Sequence, residues 1–213
     1  MIHHLFRSLL YVHPRRARLG SIVLALAALI PAGSAAGEPW NGPAFAAAPA
    51  ELAAAAAALE APEGANVHVL LFEMEYQLSD SAVTSYRERK VYRVLTTAGA
   101  AAWASLEISW SPWYQDRPEI RARVIAPDGR VHELDPATVA ESAAAVEDDE
   151  MFGDERLLRA PLPAVVVGSV VEAELVVHHV RPLFEAGVAT RRYLALGEPG
   201  HRLSRRWSGR GRG

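Results

Sequence analysis

The chain has 213 residues, 50% of them hydrophobic and 22% charged, with a formal net charge of −3 and no cysteine. The missing cysteine excludes a disulfide framework, a thiolate metal site, a redox thiol pair and a sulfur nucleophile. Alanine accounts for 39 residues, so the large side chains that contribute most to burial are scarcer than the hydrophobic share implies.

Residues 1–36 read as an export signal. Arg7, Arg15, Arg16 and Arg18 form a positive segment without acidic residues, residues 19–30 are an apolar run, and Ser34-Ala35-Ala36 offers small side chains for cleavage. Those 12 residues fall short of the roughly 20 that a spanning helix needs, which predicts no stable membrane anchor after cleavage. The expected location is periplasmic or secreted. Taking the four arginines of this segment from 22 basic residues leaves 18 against 25 acidic ones. An acidic mature chain argues against a nucleic-acid partner, because a phosphate backbone demands clustered cations.

Residues 37–66 read as an alanine-rich helical lead-in. Alanine has the best helix propensity and proline suits a first helical position, so a helix is predicted from near Pro49. Its burying face, Leu52, Ala55, Ala56 and Leu59, is thin, which predicts weak docking. After Pro62-Glu63-Gly64 the period changes to two. Along Val67–Leu78, the residues Leu70, Phe72, Met74, Tyr76 and Leu78 share one face, opposite Leu71, Glu73, Glu75 and Gln77. A second strand over residues 83–95 carries Arg87-Glu88-Arg89-Lys90, charged on both faces, which marks an edge strand or a solvated stretch.

Gly99 is expected in a turn within residues 96–102, ahead of a short strand Ser105–Trp110. Residues 111–118 form a proline-bounded loop with two large aromatics, Trp113 and Tyr114. Pro127-Asp128-Gly129 turns a hairpin between alternating Ile120, Ala122 and Val124 and a return over residues 130–134. Residues 137–145 are predicted as a short helix and residues 147–156 as an acidic loop. In residues 169–178, Val171, Ala173, Leu175 and Val177 face inward while Glu172 and Glu174 face out; residues 190–196 are a last strand. The series predicts a mostly β fold, an antiparallel β-sandwich over residues 67–203 with a short N-terminal alanine-rich helix. Residues 204–213 read as a disordered basic tail, with a truncated or out-of-frame end as the alternative.

Several stretches occur in a characteristic order. They are Val69-Leu70-Leu71-Phe72-Glu73, Arg93-Val94-Leu95-Thr96-Thr97-Ala98-Gly99, Ser111-Pro112-Trp113-Tyr114-Gln115 and Ile120-Arg121-Ala122-Arg123-Val124-Ile125. Pro127-Asp128-Gly129, Leu134-Asp135-Pro136-Ala137-Thr138, Ala160-Pro161-Leu162-Pro163-Ala164 and Gly168-Ser169-Val170-Val171-Glu172 follow. Over roughly residues 40–205 their order and spacing resemble domain of unknown function 3857, the N-terminal β domain of exported transglutaminase-like proteins. The resemblance implies a β module ahead of a papain-type cysteine core, which it would scaffold or supply with substrate. Such a core needs a thiolate, a histidine and an orienting acid. Without cysteine no catalytic residue carries over, and the chain is expected not to be an enzyme.

The candidates for ligand or partner contact are Trp110, Trp113 and Tyr114. Aromatics beside a loop stack on sugar or peptide and concentrate at interface hot spots; packing as a cap on the sandwich is the alternative. Asp154 and Arg156 are candidates to hold that loop through a carboxylate–guanidinium pair. No catalytic, cofactor-binding or metal residue is assigned. His178 and His179, adjacent on a strand, point to opposite faces and cannot easily chelate one ion. Glu147-Asp148-Asp149-Glu150 with Asp154 lacks a calcium-loop spacing, and Ser169 lacks a nucleophile elbow. The expected function is a non-catalytic accessory or scaffold domain, partnered by a transglutaminase-like cysteine core or a cell-envelope protein or peptide. The alternatives are a stand-alone periplasmic peptide- or glycan-binding module using exposed aromatics and, last, a hydrolase with carboxylate chemistry.

Overall fold

The computed structural model describes residues 37–79, 83–144, 154–182 and 203–209. The export-signal reading of residues 1–36, most of the acidic cluster and the strand expected at 190–196 lie outside the described residues. Nine strands are described: β1 (Val67–Leu78), β2 (Val83–Val94), β3 (Ser105–Trp110), β4 (Glu119–Ile125), β5 (Val131–Glu133), β6 (Ala140–Ala143), β7 (Arg156–Pro161), β8 (Val170–His178) and β9 (Leu203–Gly209). They form a six-stranded sheet, β5-β4-β8-β2-β1-β9, and a three-stranded sheet, β3-β7-β6. Every pairing is antiparallel except β1 with β9. The mostly antiparallel two-sheet fold expected from the alternation is therefore present.

Alternation places one parity of the large sheet between the sheets. Val69, Met74, Tyr92, Val124 and Val171 pack there with Leu106 of β3 and Ala160 of β7. Each such aliphatic side chain taken out of water contributes about 1.5–3 kcal/mol. The other parity forms a second cluster, in which Leu70, Leu71, Val91, Ile125 and Val170 lie under Trp40, Leu52 and Ala56. Leu52 and Ala56 belong to helix α1 (Pro49–Ala58) and are fully buried. The lead-in is thus no loose linker. Spaced four apart, Leu52 and Ala56 lie on one helix face, and alanine lets that face approach the sheet closely.

A bulge explains the phase of β1. Val69 pairs with Tyr92 and Leu71 with Val91, leaving Leu70 as the extra residue. Leu70 was expected to share a face with Phe72; the bulge sends it to the α1 side beside Leu71.

The charged stretch of β2 lies in the middle of the large sheet, not at its edge. On the α1 side, the strands alternate in sign: Arg121 and Arg123 on β4, Glu172 and Glu174 on β8, Arg87 and Arg89 on β2, Glu73 and Glu75 on β1, Arg206 on β9. Arg89 Nη2 donates to Glu172 Oε1 at 2.6 Å and Arg123 Nη2 to Glu172 Oε2 at 2.6 Å. Arg87 donates to Glu75 at 2.6 Å and to Glu174 at 3.3 Å. Burial opposes the charge on Arg87, but its bonds to Glu75 and Glu174 prevail and raise its pKa. Glu172, expected to face solvent, is 1% exposed.

The same charges hold the N-terminal segment in place. Arg89 Nη1 donates to the carbonyls of Trp40 and Gly42, Arg123 Nη2 donates to the carbonyl of Ala47, and the Phe45 N–H donates to Glu172. Phe45 has φ of 61°, a left-handed conformation costly for an aromatic residue. Its ring lies 4.5 Å from the Arg121 guanidinium and 5.6 Å from that of Arg123, cation–π contacts that offset the strain.

Three further expectations need correction. Gly99 lies inside a short helix, α2 (Thr97–Ala102), whose first turn is capped by the Thr96 hydroxyl. Residues 137–144 form no α-helix: a 3₁₀ turn at Pro136–Thr138 leads into β6, because pairing with β7 outweighs the helix propensity of alanine. The expected tail contributes β9, whose backbone satisfies the otherwise open edge of β1 without any apolar alternation.

Candidate functional site

Residues 111–118 carry the chain from β3 in the small sheet to β4 in the large one. The loop is closed on itself by N–H groups of Tyr114 and Gln115, which donate to the Ser111 carbonyl at 3.2 and 3.0 Å. It then docks on the end of β8. The Asp116 N–H donates to His178 O at 2.9 Å, and the Val180 N–H to Tyr114 O at 3.0 Å.

The side chains follow this backbone frame. Trp113 and Tyr114 rings lie 4.6 Å apart, and Tyr114 meets the His179 ring edge-on at 5.5 Å. The Arg181 guanidinium sits 5.3 Å over the Trp113 ring and also bonds the Trp113 carbonyl. Trp113 remains 41% exposed beside these two neighbours, so part of its surface is open to a partner. Tyr114 is half-buried. Gln115 Oε1 accepts the Ser111 N–H at 2.8 Å, and its Nε2 lies 3.3 Å from His179 Nε2. Burial first, and the neighbouring His178 second, hold the His179 pKa below the usual imidazole value.

The structure brings together only part of the predicted set. Trp113 and Tyr114 form the site. Trp110, 8% exposed on β3, is an interior residue rather than a contact residue. Asp154 is exposed, and among the described residues no ion pair joins it to the loop. The anchoring carboxylate is Glu141 on β6, which accepts from Arg117 at 3.1 Å and from Arg156 at 3.0 Å. Sequence reasoning found the Arg156 half of that pair and missed Glu141, which it had assigned to a helix. It also passed over His179 and Arg181 as partners of the loop, since nothing local in residues 178–182 announces contacts 65 and 68 positions away.

His178 is exposed and His179 half-buried, in keeping with their adjacent places on a strand. Among the described residues no group of three or more His, Asp or Glu is placed to hold a metal ion. Beside the loop, Arg117, Pro118, Ile120, Pro136 and Val139 line a shallow cleft of about 320 Å³. Ser169 is fully buried at the start of β8, its hydroxyl accepting from the Val166 N–H, a structural role.

The loop, the end of β8 and the charge ladder of β2, β4 and β8 all fall within residues 80–204, which match the domain of unknown function DUF3857. The chain belongs to the DUF3857 family. No curated protein matches it. Among solved structures, this DUF3857 chain is similar to a candidate protease from Parabacteroides distasonis, at 14% identity and TM-score 0.48, over 55% of this chain and 23% of that one. It is also similar to a CBM3a-L domain with flanking linkers from a cellulosomal scaffoldin of Clostridium thermocellum, at 11% identity and TM-score 0.32, over 57% of this chain and 72% of that one. The DUF3857 chain therefore spans less than a quarter of the first structure's length. Among the described residues no helix is long and apolar enough to cross a membrane.

Proposed function

We propose that this DUF3857 chain is an exported, non-catalytic accessory domain that docks a partner on the Trp113–Tyr114 loop. The observation that supports it is the division of labour between charged and aromatic groups. Arg87, Arg89, Arg123, Glu172 and Glu174 are committed to one another across the large sheet. Groups locked in such pairs hold strands in register rather than wait for a substrate. Trp113, by contrast, offers an open ring on a loop fastened at both ends. A rigid aromatic surface suits recognition, because little side-chain entropy is lost on contact.

By the resemblance of its motifs, the partner is a transglutaminase-like cysteine core, which the domain scaffolds or supplies with substrate. The full chain, assayed with amine donors and with peptide substrates, is expected to show no turnover alone. Turnover at an enzymatic rate by this polypeptide would overturn the reading.

The exposure of Trp113 also favours a second reading, a stand-alone periplasmic module that binds peptide or glycan. Titration with envelope peptides and glycan fragments separates the two. A tryptophan-fluorescence response that Trp113→Ala removes supports the module; response only to a cysteine core supports the accessory domain.

A further inference from the structure

The amide of Gln115 can be oriented without ambiguity. Its Oε1 accepts the Ser111 N–H at 2.8 Å, so its Nε2 must be the atom facing His179 Nε2 at 3.3 Å. An amide nitrogen only donates, so the His179 nitrogen it meets must accept. His179 is then neutral, with its proton on Nδ1.

We propose that Gln115 and His179 form a proton-operated latch on the Trp113–Tyr114 loop, closed while His179 Nε2 is bare and released when that nitrogen takes up a proton. The two states are mutually exclusive. A protonated His179 presents Nε2–H to the Gln115 amide, donor against donor. The contact survives only if the amide turns over to offer Oε1, which abandons the Ser111 N–H. The first outcome frees the loop from His179, and the second opens the Ser111–Gln115 bond that closes residues 111–115, the turn carrying both aromatic rings. The edge of His179 also braces Tyr114 at 5.5 Å, so its movement is felt at the docking face.

The surroundings favour the bare state at neutral pH. His179 is half-buried, and on its own segment it is flanked by His178, whose proton would compete with its own, and by the cationic Arg181. Tyr114 faces it from the loop, where Asp116 and Arg117 follow. On β2 its N–H donates to the Thr84 carbonyl at 2.9 Å, next to uncharged Val83 and Ser85. Glu119 opens β4 opposite Val176, on the strand that His179 extends.

The latch adds regulation to the docking face proposed above and rests on that reading only for its consequence. Its test therefore uses no ligand. In the full ¹⁵N-labelled chain, ring-nitrogen shifts are expected to show His179 protonated at Nδ1 and bare at Nε2 at pH 8. On acidification the Ser111 N–H, the Gln115 side-chain amide and the Trp113 indole should shift together, with the midpoint of His179. Gln115→Glu supplies two acceptors, one for Ser111 and one for a protonated His179. It should raise the proton affinity of His179 by roughly tenfold and keep the loop signals steady through the titration. If Gln115→Glu fails to fold, His179→Phe must abolish the pH response of the loop signals while leaving that of His178.

A proton on Nε2 at pH 8, loop signals that stay flat through the wild-type titration, or an unchanged midpoint in Gln115→Glu would each overturn the latch. So would a loop response that persists in His179→Phe. Failure of the docking reading shows instead as a Trp113→Ala variant that binds partner normally, whatever the latch does.

Discussion

Glu172 on β8 receives Arg89 from β2 at 2.6 Å in the interior of the large sheet, with the two side chains 1% and 3% exposed. Arg123 takes the other carboxylate oxygen from the far side, so one anion holds two cations and three strands together. Removing one partner from a buried charge group leaves the others uncompensated. Glu172→Gln is expected to cost about 3–5 kcal/mol, read as a lower urea midpoint. A loss under 1 kcal/mol would show that water reaches the site.

Leu52 tests whether α1 is part of the domain. Fully buried in the second cluster, it should cost about 2–5 kcal/mol when replaced by alanine. The variant should still unfold in one transition. A loosely docked lead-in would give almost no change, with α1 melting separately.

Gly99 shows how context reverses a helix rule. Replacing a helical glycine by alanine ordinarily stabilises by about 0.5–1 kcal/mol. Here an added Cβ would stand 2.2 Å from the Asn66 carbonyl oxygen, a backbone atom that cannot swing away. Gly99→Ala is therefore expected to destabilise, by about 1–3 kcal/mol, in thermal melts.

Trp113→Ala should leave stability within about 0.5–1 kcal/mol of the parent, because so exposed a ring contributes little to the core. The same change should abolish partner-induced fluorescence shifts. Loss of folding together with binding would move Trp113 from the docking face to the structural cap.

Two buried or half-buried groups contribute to the pH dependence. Burial, with His178, holds His179 below its ordinary pKa, so the neutral ring belongs to the folded state. Its contribution is present above about pH 6.5 and is lost as pH falls through the lower folded value. Burial pushes the Tyr92 phenol up, and its neutral O–H donates to the Trp103 carbonyl at 2.8 Å. That contribution is complete below about pH 10 and is lost as pH rises further. Urea midpoints should therefore fall on both sides; His179→Phe should flatten the acid limb and Tyr92→Phe the alkaline one.

Much of this was legible in the chain. A period of two marks β1, β4 and β8 because each has one face against apolar side chains, whatever the strand order. Pro127-Asp128-Gly129 announces its hairpin because glycine is needed at positive φ, and Gly129 has φ of 83°. The loop with Trp113 and Tyr114 stands out for the same local reasons.

The strand order was not legible, and with it went the meaning of every charge. Arg87 and Arg89 look solvated when β2 is read alone, since a sequence gives no sign of what lies beside a strand. Set between Glu73 and Glu75 on one side and Glu172 and Glu174 on the other, the same arginines become the interior of the sheet. Likewise Gln115 and His179, 64 positions apart, meet only because β8 pairs with β4 and ends beside the loop that precedes β4. Composition and periodicity determined that strands would form and which residues would turn them. Tertiary structure decided which charges are buried and which rings stay open, because burial and pairing depend on neighbours distant in the chain.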